Sequence, residues 1–157
     1  MFETDVSALG ELLDRMMECH RQLGTLDSFS TGLNSMGDLV DHPRWKQRVI
    51  YEKALSALGS SWNEDAGRPI LATLGPIENV DDSEILELYL DLEGDRLGFA
   101  KRMALIDRIV VAGRSAAVRL QYRGVRALQL MLIGDQDGCV AELQSAVSEY
   151  RERAGRR

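Results

Sequence analysis

With 157 residues and 45% apolar side chains, the chain has the size of one ordinary domain and can bury roughly two-thirds of its unfolded surface without a metal or disulfide staple. Its mean hydropathy is −0.20, and no unbroken apolar run approaches the roughly 18 residues that mark a membrane span. The formal net charge of −6 divides unevenly: residues 1–95 carry 7 basic and 19 acidic side chains (−12), and residues 96–157 carry 12 and 6 (+6), so two surfaces of opposite sign or an internal pairing are expected.

The opening Met1-Phe2-Glu3-Thr4-Asp5 has no basic or apolar signal region, which points to a cytoplasmic protein. Cys19 and Cys139 lie far apart with no CxxC spacing, as reduced thiols do. Sixteen of the 19 basic residues are Arg, a hint of a GC-rich bacterial genome. Abundant Leu, Ala, Glu and Arg with few aromatics and three prolines favour helix over strand.

Taken in order, Leu9, Leu12, Leu13, Met16 and Met17 predict a helix from Val6 to Leu23, ended by Gly24. Leu26, Phe29, Leu33, Met36 and Val40 predict a second, stopped at His42-Pro43 because the residue before proline leaves the helical region. Pro43, a favoured first-turn residue, opens a third that runs to Leu58 on Trp45, Val49, Ile50, Ala54, Leu55 and Leu58. A short fourth is expected from Pro69 to Leu74.

Asp82 or Ser83 caps a fifth helix over Ile85 to Glu93. The sixth spans about Arg96 to Ala112 with Phe99, Met103, Ile106 and Val110. The seventh spans Ser115 to Ile133, and the eighth presents Val140, Leu143, Val147 and Tyr150. Glu84, Glu87 and Asp91 share one face of the fifth helix, but carboxylate metal sites in bundles also need a Glu-x-x-His pattern, which is missing, so no metal is implied. Arg119, Arg123 and Arg126 form a basic stripe on the seventh, for which pairing with the acidic fifth helix is the plain account and phosphate binding the alternative.

Catalytic constellations are lacking. Cys19 and His20 are neighbours that point about 100° apart on a helix, so they form no nucleophile–base pair. Neither a phosphate-cradling glycine loop nor HExxH occurs, and a non-enzymatic protein without a cofactor is expected.

The glycines that end alternate helices are Gly24, Gly59, Gly94 and Gly134, spaced by 35, 35 and 40 residues, and Gly94-Asp95 is repeated as Gly134-Asp135. Such a period marks stacked helix pairs. With Ala127, Gly134-Asp135, Cys139, Leu143 and Ala146 in matching places, the chain resembles the tetratricopeptide-repeat family. Glu52 and Glu87 depart from it, standing where a small residue is usual. A divergent αα-repeat or a non-repeating helical bundle are the alternatives.

The resemblance implies an all-α fold of antiparallel helix pairs stacked as a short right-handed α-solenoid. It would be a single domain, 1–157, with repeats at roughly 6–40, 43–75, 82–113 and 115–153. It further implies a peptide-binding groove formed by Asp14, Glu18, Lys53, Glu84, Leu88, Asp91, Leu128 and Met131. A non-catalytic scaffold for a protein or peptide, either free-standing or as the repeat portion of a bacterial regulator or chaperone, is therefore expected. A nucleic-acid-associated regulator using the basic half and a self-associating module with homo-oligomeric contacts are the alternatives.

Overall fold

The computed structural model of the chain describes residues 6–35, 43–113 and 115–155. Eight α-helices and no strand occur among them: α1 (Val6–Gln22), α2 (Leu26–Ser35), α3 (Pro43–Leu58), α4 (Glu64–Leu71), α5 (Ser83–Glu93), α6 (Phe99–Ala112), α7 (Ala116–Leu132) and α8 (Gln136–Ala154). The fold is all-α. The expected contributions of Met36 and Val40 to the second helix, and its stop at His42, lie outside the described residues.

The chain divides into two compact units, Met1–Pro76 and Ile77–Arg157. In each, every helix packs on the next: α1 on α2, α2 on α3 and α3 on α4 in the first; α5 on α6, α6 on α7 and α7 on α8 in the second.

The first unit's core is a cluster of Leu13, Met17, Leu26, Phe29, Trp45 and Val49. Ala54, Leu58 and Leu71 are also buried. The periodic residues of α1 are thus split: Leu13 and Met17 point inward, while Leu12 and Met16 are exposed. His20 hydrogen-bonds through Nδ1 to the Thr25 hydroxyl at 2.8 Å and packs its ring on Phe29, so it braces the first turn and is not aimed at Cys19.

Two of the predicted stops share one geometry. At Gly24 (φ +68°) and Gly134 (φ +83°) the backbone is left-handed, which glycine adopts without a Cβ penalty. In both, the next N–H reaches back five residues, Thr25 to His20 O at 2.8 Å and Asp135 to Leu130 O at 2.9 Å, while the glycine N–H bonds the carbonyl three residues earlier. Gly59 is also left-handed. Gly94 differs: its φ is −54° and α5 runs on into a 3₁₀ turn over Gly94–Arg96, so the predicted four equivalent hinges are three plus a helix extension.

The fourth helix departs further from expectation. Instead of starting at Pro69, α4 starts at Glu64 and carries Pro69 within it, and a 3₁₀ turn follows over Ala72–Leu74. Close packing on α3 accounts for the early start. A Cβ on Gly67 would sit 2.7 Å from Leu58 Cγ and Cδ2, so the absent side chain lets the two helices meet at the buried Leu58.

In the second unit, Asp82 caps α5 by accepting from the Glu84 N–H at 3.0 Å, and Ser115 caps α7 by accepting from the Val118 N–H at 3.2 Å. The core holds Val80, Ile85, Leu86, Leu88 and Leu92, with Leu105, Ile106 and Ile109 of α6 and Tyr122 and Ala127 of α7. Arg108 of α6 ties down the segment ahead of α5, donating to the carbonyls of Ile77 (2.9 Å), Glu78 (3.4 Å) and Val80.

Candidate functional site

The residues implied for a groove fall in both units, and each group has its own surroundings. In the first unit Asp14 is exposed and 4.0 Å from Arg44. Lys53 lies 2.5 Å from Asp27. Glu18 accepts from Arg21 Nε at 2.8 Å and from Gln22 at 2.7 Å, and these bonds hold its carboxyl well below the usual range, at about 2. These are local surface pairs, screened by solvent and individually weak. Glu52 is only 8% exposed, with Arg48 at 3.7 Å and Arg21 at 3.8 Å. The departure from the small residue expected there is accommodated by charge.

In the second unit Leu88 is only 4% exposed and belongs to the core, whereas Leu128 and Met131 of α7 are about half exposed. Glu84, half-buried Glu87 and Asp91 form the predicted carboxylate row on α5. Partial burial, then the neighbouring charges of Glu84, Asp91 and Asp82, push the Glu87 carboxyl up from its usual value. Desolvation pushes Asp91 up as well.

Tyr122, buried on α7, reports the same field. Its hydroxyl is pushed above its usual range first by burial and then by the charges of Asp91 and Glu87, so it lies near enough to sense that row. Sequence reasoning did not select it, since a lone tyrosine in a helical pattern carries no signal of which neighbour it meets. Neither Glu87 nor Asp91 forms an ion pair among the described residues. The row is therefore a negative face with proton-holding tendency, and it suits a cationic group better than an anion.

The basic stripe has a different environment from the one predicted. Its carboxylate partners come from α8 and α6, not α5. Arg119 lies 3.3 Å and Arg123 3.4 Å from Glu149; Arg123 is also 2.8 Å from Glu142, and Arg126 joins Glu142 at 2.8 Å to Asp107 at 2.9 Å. Glu142 is 8% exposed. The stripe faces the α7–α8 contact, and its charge is largely matched by carboxylates there.

No group of His, Cys, Asp and Glu among the described residues is placed to hold a metal ion. No helix among them is long and apolar enough to cross a membrane. No family model matches the chain, and neither a curated protein nor a solved structure is similar to it.

Proposed function

We propose that the chain is a non-catalytic protein-binding module of stacked, tetratricopeptide-like helix pairs, and that it takes a basic, amphipathic peptide segment on the acidic face of α5. The observation that carries this reading is the row of Glu84, Glu87 and Asp91 on one face of α5, in which Glu87 and Asp91 form no ion pair among the described residues. A lysine or arginine side chain brought to such a row offsets the mutual repulsion of its carboxylates, which adds to burial in raising Glu87, and this gain is available only to a cationic partner.

The exposed Leu128 and Met131 supply apolar contacts of the sort an amphipathic segment needs. Support for stacked pairs comes from the sequential packing within each unit and from the matching turns at Gly24 and Gly134. The arginines of α7 speak for a nucleic-acid role only weakly, because Glu142, Glu149 and Asp107 already engage them.

The test is fluorescence polarisation with a labelled Lys/Arg-rich amphipathic peptide and an acidic peptide of the same length. Binding of the basic peptide alone is expected, weakened by salt and reduced roughly tenfold by Glu87→Gln with Asp91→Asn. Equal binding of both peptides, or no loss in the double variant, rejects the reading.

A further inference from the structure

The outermost described helix is turned in an unusual sense. Among the described residues no apolar side chain of α8 is buried, whereas Glu142 is. The side facing α7 carries Glu142 and Glu149 on the arginines. The opposite side presents Val140, Leu143, Val147 and Tyr150, between 47% and 63% exposed. Along this side runs an open hollow of about 480 Å³ lined by Val140, Leu143, Gln144, Val147, Ser148 and Arg151.

The exposed stripe is fixed by what lies beneath it. Rolling α8 to bury the four apolar residues would pull Glu142 from Arg123 and Arg126, stranding three charges in a partly buried interface. The stripe itself has spacings of 3, 4 and 3, the alternation of a coiled-coil seam. Its flanks decide the occupant. Asp137, Gln144 and Arg151 follow one edge at intervals of seven. Asp137 and Arg151 are exposed and form no ion pair among the described residues.

We propose that this face binds a second copy of the chain, with the two α8 helices packed antiparallel about a two-fold axis near Gln144. In that arrangement Val140 of one copy meets Tyr150 of the other, and Leu143 meets Val147. On the edge, Asp137 of each copy faces Arg151 of the other, with the two Gln144 side chains at the centre. The contact is self-complementary, as a two-fold interface requires. Only the antiparallel form brings Asp137 of one copy to Arg151 of the other; in a parallel pair these edges lie on opposite sides of the seam, so the charges favour the antiparallel form.

The test is sedimentation velocity of the full chain over a concentration series. A dimer is expected, abolished by Leu143→Asp while the helical circular dichroism, and the melting temperature at concentrations where both proteins are monomeric, stay unchanged. Asp137→Lys and Arg151→Glu should each weaken the dimer roughly tenfold, and the two together should restore it. Val140→Lys provides a second disruption if Leu143→Asp alters the melt. A monomer at every concentration overturns the proposal. So does a dimer insensitive to both disruptions, a charge swap that fails to restore association, or a face covered instead by a different protein.

Discussion

Arg123 and Glu142 meet at 2.8 Å across the α7–α8 contact, and the same carboxylate lies 2.8 Å from Arg126 through its other oxygen. One glutamate thus holds two arginines one helical turn apart, while Arg126 extends the link to Asp107 of α6. Three consecutive helices are joined through charge, and on the last of them no apolar side chain among the described residues is buried.

Removing the central carboxylate should therefore cost more than removing a surface pair. Glu142→Ala is expected to destabilise the second unit by about 2–3 kcal/mol, toward the low end for a buried pair because the arginine side chains remain 25% and 35% exposed. Replacing Arg123, Arg126 and Glu142 together with leucines should cost less, since Glu149 keeps Arg119 and Asp107 is half exposed, so no buried carboxylate is left without a partner. Urea unfolding monitored by circular dichroism distinguishes the two results.

Arg108 gives a second prediction. Its guanidinium donates to the carbonyls of Ile77 and Val80, which precede α5, and lies 3.7 Å from Asp81. Arg108→Ala should cost about 2 kcal/mol, the range of hydrogen bonds to a charged group. Arg108→Lys should recover only part of it, because an ammonium cannot fork between carbonyls as a guanidinium does. Hydrogen exchange at the Val80 amide, bonded to Ile77 O, should rise in both variants.

The acidic row makes stability depend on pH with a definite sign. Glu87 has its folded-state carboxyl raised above the ordinary 4.5, so the native state binds more protons than the unfolded chain between these values. Its contribution to stability is complete below the unfolded value and declines as pH rises through the folded one. Glu87→Gln should thus stabilise the protein at neutral pH, by roughly 0.5 kcal/mol or less as for like charges on one helix face. The gain should vanish below about pH 4; melting temperatures at pH 7 and pH 3.5 decide the matter.

Gly67 tests the close approach of α3 and α4. Gly67→Ala places a methyl 2.7 Å from Leu58 and should cost about 1–3 kcal/mol. In a Leu58→Ala background the same substitution should cost less, because the space it needs has been cleared. Additive losses in the double-mutant cycle would contradict the packing account.

Much of the helical order was readable from residues with local physical effects. Pro43 starts α3 and Gly59 follows its end, Asp82 caps α5, and Gly134 closes α7, because each acts on backbone within a few positions. Pro69 misled for the same reason: as a helix starter it suggested a late α4, but the gap left by Gly67 opposite Leu58 favours the longer helix. The inward faces were harder to read. In α6 the buried set is Leu105, Ile106 and Ile109, while Phe99 is exposed, since several apolar stripes compete on one helix and only tertiary packing chooses among them.

The candidate site was legible to the same degree. Glu84, Glu87 and Asp91 follow from spacing alone. The partners of Arg119, Arg123 and Arg126 do not, because three helices of similar polarity offer carboxylates and spacing along one helix is blind to which neighbour packs against it. Glu142 and Glu149, seven apart on α8, were the available signal.

The turn at Gly24 and its counterpart at Gly134 close through main-chain N–H and carbonyl groups around a residue with no side chain. Such a joint makes few demands on the side chains before and after it. Substitutions can accumulate on either side while the chain still reverses at the same point.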